Sequence, residues 1–69
     1  MTDTTCYVVT TGTGWELAVD IIVYASPKAK ALADSHAKDL RKMGCDAVRV
    51  RPFVDAAAAE RYEDKTRGY

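Results

Sequence analysis

The sequence has little of what would identify a chemistry. Its 69 residues include one tryptophan, one phenylalanine and one histidine, and they form no recognisable catalytic or cofactor-binding motif. The glycine-punctuated turn at residues 12–14 is followed by a strand-like run instead of a helix, and it lacks the lysine of a phosphate-binding loop. We therefore predict a protein that is not an enzyme and binds no cofactor.

The chain has no excess of charge of either sign. Ten lysine and arginine residues balance ten aspartate and glutamate residues. Proteins that bind nucleic acid through its phosphates carry a basic surface, so this balance argues against nucleic acid as the main partner. A net charge of zero also gives little electrostatic protection against self-association.

Cysteines are few, and no segment has the features of a signal peptide or a membrane span. Only Cys6 and Cys45 are present. Residues 1–12 lack a basic start and a long apolar stretch. The apolar run at residues 17–25 is too short to cross a bilayer and contains Asp20. These features predict a soluble cytoplasmic protein with free thiols, unattached to a membrane.

The chain is too short for more than one domain. We predict a single domain over residues 1–69, with residues 1–4 frayed and with no repeat and no linker. Below about 70–80 residues a single core rarely supplies more than ~3–5 kcal/mol of stability. A second chain is therefore expected to add to the core.

Three segments have the composition and alternation of β-strands. Residues 6–11 are rich in β-branched and aromatic side chains. Residues 15–24 alternate between two faces and form the longest apolar run, and residues 46–54 alternate again with Pro52 near the end. The short turn between the first two segments predicts a hairpin. A two-residue loop would place Cys6 and Val8 on the core face, whereas a three-residue loop would place Tyr7 and Val9 there.

Two helices follow from capping and periodicity. The longer one is predicted from about Pro27 to Met43, because Ser26 suits the N-cap and Gly44 suits the residue after the helix. Asp55 is predicted to cap a second helix that begins with four alanines. At about 100° per residue, the apolar arc of the longer helix contains Ala29, Leu32, Ala33, His36, Ala37, Leu40 and Met43.

These elements predict a small α/β domain of the two-layer α+β type, in the order β-β-α-β-α. Its three-stranded sheet would carry the long helix on one face and be followed by a C-terminal helix. The second strand is the longest and most hydrophobic, so we place it at the centre of the sheet, with the first strand as the alternative. The helical crossover makes the second and third strands parallel.

The two faces of the predicted sheet differ. The long helix should cover the first face, which carries Trp15, Leu17, Val19, Ile21, Val23, Val48 and Val50. The second face should carry Glu16, Asp20, Ile22, Tyr24, Arg49 and Arg51. The C-terminal helix has only a narrow apolar stripe. We therefore expect a second protein chain to cover Ile22 and Tyr24, with the C-terminal helix as the alternative.

Interaction with other proteins is the predicted function, through a homodimer, another partner or both. The predicted interaction residues are Glu16, Asp20, Ile22, Tyr24, Arg49, Arg51, Tyr62 and Tyr69. The two arginines are expected to pair across strands with Glu16 and Asp20. The small size and the alanine- and valine-rich composition fit an accessory protein of a phage or mobile element that acts on a host protein.

Two further classes of function remain open at this stage. Arg49 and Arg51 beside a tyrosine would suit a sheet face that binds nucleic acid. Cys6, His36 and Cys45 have side chains of the types that bind zinc, which would allow a small metal or redox site. For His36, a position at the margin between helix and sheet is the simpler interpretation.

Overall fold

The computed structural model describes residues 4–66 and has the predicted order of elements. The strands are β1 (Cys6–Thr11), β2 (Ala18–Val23) and β3 (Arg49–Phe53), and the helices are α1 (Ala29–Lys42) and α2 (Ala56–Thr66). A single 3-10 turn, Gly14–Glu16, precedes β2 in the described residues. The prediction of a small α+β domain in the order β-β-α-β-α is confirmed.

The sheet has the strand order β2-β1-β3, and both outer strands are antiparallel to β1. The two outer strands therefore run parallel to each other, as the crossover predicted, but the preferred placement of β2 at the centre is wrong. The reason lies in the side chains. β1 has no charged residue and buries Val8, Val9 and Thr10 completely, whereas β2 contains Asp20, whose carboxylate would be costly to bury without a partner.

A bulge in β2 exchanges the faces of its side chains. Val9 pairs with Ile21 and Thr10 pairs with Val19, so Asp20 is an additional residue in the strand. Val19 consequently lies on the same face as Ile22, and not beside Ile21 as uniform alternation predicted. Neither of the two predicted hairpin loops occurs, because residues 12–17 all lie between the strands.

Trp15 and Leu17 do not lie under the long helix as predicted. Trp15 belongs to the 3-10 turn, where it is 93% exposed, and Leu17 is half-buried after it. The cause is the backbone at Gly12 and Gly14, which adopt φ values of +78° and +59°. These left-handed conformations turn the chain away from the strand direction, so β2 begins later than its alternating sequence indicates.

Helix α1 forms one layer over the sheet. It buries Ala29, Ala33, Ala37 and Leu40, and this row packs against Val9 and its neighbours. The helix begins after the predicted Pro27, and Ser26 contributes its backbone carbonyl, which accepts the Ala29 N–H, instead of a side-chain cap. Alanines permit a close approach of helix to sheet, because they place little volume between the two backbones.

The predicted end of α1 at glycine is confirmed. Gly44 has a φ of +90°, the Gly44 N–H donates to the Arg41 carbonyl, and the Cys45 N–H donates to the Leu40 carbonyl. This pair of hydrogen bonds is the Schellman arrangement, which satisfies carbonyls at the helix end.

Helix α2 forms a second helical layer, on the face of the sheet opposite to α1. Ala59 is fully buried against Cys6 and Val8, and Ile22, Val19, Phe53, Ala56 and Tyr62 pack around them. The C-terminal helix, the alternative from the sequence, therefore covers Ile22, whereas Tyr24 remains 52% exposed. A narrow alanine stripe is enough for this because it lets α2 lie close to the strands.

The start of α2 agrees with its predicted cap, since the Ala58 N–H donates to Asp55 Oδ1 at 2.9 Å. Of the residues predicted to fray, Thr4 donates from its hydroxyl to the Val54 carbonyl at 2.7 Å, and residues 1–3 lie outside the described range. Within residues 4–66, both helices are too short and too polar to pass through a bilayer.

Two glycine substitutions test the backbone of the β1–β2 loop. A Cβ at Gly12 would lie 2.5 Å from the Glu16 carbonyl oxygen, whereas a Cβ at Gly14 would meet nothing within 4 Å. Both residues have positive φ, which costs an alanine about 1–2 kcal/mol. We expect Gly12→Ala to lower the free energy of unfolding clearly more than Gly14→Ala does, as measured by urea denaturation. Equal effects would show that the loop relaxes around the added methyl group.

A second pair of variants tests whether α2 closes the sheet. Ala59→Leu places three additional carbons between α2 and β1, and overpacking of this kind costs about 1–3 kcal/mol. Ala57→Leu on the exposed side of the same helix is the control, and we expect it to change stability little. Thermal or urea unfolding would check both variants. Equal stability of the two would contradict the burial of Ala59.

Candidate interaction surfaces

The residues predicted to mediate interaction lie in three places. Asp20, Ile22 and Tyr24 belong to β2 or follow it, Arg49 and Arg51 lie on β3, and Tyr62 lies on α2. Glu16 is in the 3-10 turn, and Tyr69 lies outside the described residues. The predicted set is therefore not one continuous patch.

The predicted ion pairs between the arginines and the acids do not form. Strand β1 lies between β2 and β3, so the residues that were expected to be cross-strand neighbours are separated by a full strand. Asp20 instead forms a hydrogen bond with His36 Nε2, and no lysine or arginine forms an ion pair with a carboxylate within residues 4–66. Arg51 places its guanidinium 5.5 Å from the centre of the Tyr62 ring, a distance typical of a cation–π contact.

The proposed metal or redox site is not assembled. Both cysteines are free thiols, as predicted. Cys6 is buried in the layer under α2, whereas Cys45 packs against the layer under α1, so the sheet lies between them. His36 sits at the margin of α1 and bonds Asp20. Within the described part of the chain no group of three or more histidine, cysteine or acidic side chains is placed to hold a metal ion.

The sheet face proposed for nucleic acid is also occupied. Helix α2 covers the face that carries Arg49 and Arg51, and Tyr62 of that helix lies under the Arg51 guanidinium. Bases therefore have no open sheet on which to stack.

Exposed apolar side chains flank the outer edge of β2 on both faces of the sheet. We call them the β2 edge surface, and they are Ile21 and Leu32 on the α1 side and Tyr24 on the α2 side. These side chains are 39%, 52% and 54% exposed. Leu32 lies one turn before His36 on α1, and the bond of His36 to Asp20 places this side of the helix beside β2. β2 pairs only with β1 in residues 4–66, so its other edge is unpaired.

Tyr24 is fixed in this surface by α2. Its hydroxyl donates to Glu60 Oε1 at 3.3 Å. Loss of solvation, followed by the negative charge of Glu60, raises the pKa of Tyr24 above its ordinary value of 10.0. The hydroxyl remains a neutral donor at physiological pH, and its bond to Glu60 links the end of β2 to α2.

A second surface lies at the loop end of the β1–β2 hairpin. A depression of about 330 Å³ is lined by Gly14, Trp15, Leu17, Tyr62, Lys65 and Thr66. A depression of about 220 Å³ adjoins it, shares Gly14 and Leu17, and is lined also by Gly12, Thr13, Arg49 and Arg51. We call the two together the hairpin groove.

The hairpin groove is basic and aromatic. Its lining includes Arg49, Arg51 and Lys65 but no acidic residue. Within residues 4–66, none of these three cations lies within ion-pair distance of a carboxylate. Trp15, at 93% exposure, stands at the edge of the groove.

The chain matches no protein family model, no curated protein and no solved structure. Its function has to be inferred from its own surfaces.

Among the groove residues that sequence reasoning did not assign to an interaction surface are Trp15, Leu17 and Lys65. The first two alternate in step with β2, so they resembled a continuation of the strand. The signal that distinguishes them is the spacing of Gly12 and Gly14: a tight type I′ turn has its two positive-φ residues next to each other, whereas here Thr13 separates them. Lys65 gave no signal in the sequence, since its neighbours are mixed charges typical of a solvated helix.

Two buried hydroxyl groups lack a hydrogen-bond partner in residues 4–66, those of Thr10 and Tyr62. An unpaired buried hydroxyl costs about 1–3 kcal/mol. We therefore expect Thr10→Val to raise the urea midpoint of unfolding, because it replaces the fully buried hydroxyl by a methyl group of similar size.

Thr11→Val, at the half-buried position next to it, is the control and should leave the midpoint nearly unchanged. A lower midpoint for Thr10→Val would mean that the Thr10 hydroxyl is hydrogen-bonded in solution.

Proposed function

We propose that the protein functions by binding proteins and not by catalysis, and that one of its partners is a second copy of itself. The observation that carries this proposal is the β2 edge surface. An unpaired strand edge with large exposed apolar side chains beside it is a template for pairing with another strand. The absence of net charge leaves no general repulsion between two copies.

The two edges of the sheet differ in a way that favours β2. The β3 edge contains Pro52, which has no N–H to donate, and the charged residues Arg49 and Arg51. Proline and like charges of this kind protect an edge against pairing. β2 contains no proline and only one charged residue, Asp20, whose carboxylate already bonds His36.

The proposed dimer pairs two β2 strands antiparallel across a two-fold axis. Such an isologous contact uses the same residues on both copies, and it would join the two sheets into one. The bulge at Asp20 confines regular pairing to residues 21–23. Ile21, Leu32 and Tyr24 would then be buried against their counterparts on either side of the new strand pair.

The solution mass as a function of concentration tests this proposal. We expect light scattering to show a rise from the monomer towards twice its mass between micromolar and millimolar protein. Ile21→Lys and Leu32→Lys should each shift this rise to higher concentration, because the introduced charges would meet across the two-fold axis. Met43→Lys changes a still more exposed apolar residue, outside the surface, and should behave like the native chain.

A native chain that stays monomeric at every concentration would contradict the dimer. Equal effects of Met43→Lys and Ile21→Lys would contradict the assignment to β2. Circular dichroism of each variant would establish that the fold is intact.

The wider interpretation from the sequence remains a prediction. It comprises the cytoplasmic location, the absence of enzymatic activity and an origin in a phage or mobile element that acts on a host protein. Protein binding is compatible with each of these, because it requires neither a cofactor nor a catalytic cleft.

A further inference from the structure

We propose that the hairpin groove binds a short acidic segment of a partner protein that carries one large apolar side chain. The inference shares with the proposed function the view that this is a protein-binding domain. It concerns a different surface, however, and does not depend on self-association through β2.

The apolar part of the groove supplies the first half of this argument. Trp15 is the only tryptophan in the chain and is 93% exposed, so it contributes almost no burial to the core. Tryptophan is enriched at the energetically important positions of protein interfaces. Trp15, Leu17 and Tyr62 line a volume of about 330 Å³. This is at the lower limit for ligand pockets, roughly 300–1,000 Å³, and suits one side chain better than a whole cofactor.

The charges of the groove supply the second half. Arg49 and Arg51 lie beside the apolar depression and Lys65 lines it, and no described carboxylate pairs with them. Guanidinium groups bind carboxylates through paired hydrogen bonds of fixed geometry. In a chain with equal numbers of acids and bases, this local excess of positive charge favours an acidic partner over a neutral one.

An acidic peptide fits the groove better than a nucleic acid does. For each phosphate that a protein neutralises on a single strand, the logarithm of the binding constant falls by about 0.7 per tenfold increase in salt concentration. The groove offers three cations, which allow only a weak phosphate contact. Its apolar depression lies between a loop and a helix, and the sheet beneath it gives no platform for successive bases.

The chain's own C-terminal residues are the competing occupant. Helix α2 is described to Thr66, which lines the groove, and residues 67–69 follow it directly in the sequence. A chain that ends at Thr66 therefore belongs in the test.

The experiment measures fluorescence anisotropy of a labelled hexapeptide, Glu-Asp-Phe-Leu-Asp-Glu, titrated with the full chain. We expect saturable binding that weakens about tenfold or more in Trp15→Ala and in the double variant Arg49→Ala plus Arg51→Ala. Val54→Ala and Arg61→Ala change an exposed valine and an exposed arginine outside the groove, and they should bind like the native chain. Because Trp15, Arg49 and Arg51 are all exposed, the variants should remain folded, which circular dichroism would verify.

Peptide and ligand controls define the partner. A peptide with alanine in place of phenylalanine and leucine, and one with lysine in place of its acids, should each bind at least tenfold more weakly. Tighter binding of an eight-nucleotide oligothymidylate than of the acidic peptide would overturn the proposal in favour of nucleic acid. Binding by a chain ending at Thr66, but not by the full chain, would overturn it in favour of the C-terminal residues. Equal weakening by Arg61→Ala and the double variant would show that charge alone attracts the peptide.

A negative result in this test would leave the proposed dimer standing, since Ile21 and Leu32 do not line the groove. Binding of the peptide by a monomeric Ile21→Lys variant would establish that the groove works independently of the β2 edge.

Discussion

The burial of β1 on both faces is the constraint on which the rest of the structure depends. Cys6 and Val8 contact the layer of α2, and Val9 contacts the layer of α1. Its backbone N–H and C=O groups bond to β2 on one side and to β3 on the other. Two separate clusters, each too small to hold a domain together, become one core because this strand belongs to both.

The local elements were predictable from the sequence to a large extent. The bounds of β1, the helix stop at Gly44 and the cap at Asp55 follow from residues that act on their immediate neighbours. The arrangement of the strands was not predictable in the same way. The hydrophobic run of β2 predicted a central position, but β2 is an edge strand in which Asp20 is the bulged residue and bonds His36.

The candidate surfaces were predicted less well, for a related reason. Tyr24, Arg49, Arg51 and Tyr62 were identified from residue type, and each lies on or beside one of the two surfaces. Their expected partners were wrong, because those followed from the strand order. Trp15 was assigned to the core, since alternation in the sequence does not show where a strand begins; the left-handed backbone at Gly12 determines that.

The position of β1 also has a consequence for how the chain is made. Cys6, the first residue of the central strand, pairs with Phe53, the last residue of β3. During translation β1 leaves the ribosome before either of its neighbours, and β3 emerges only after β2 and α1. Until then a β1–β2 hairpin has one bonded side and no helix on its α2 face. The core can therefore close only once β3 and α2 have emerged, and β1 lacks these neighbours in the interval.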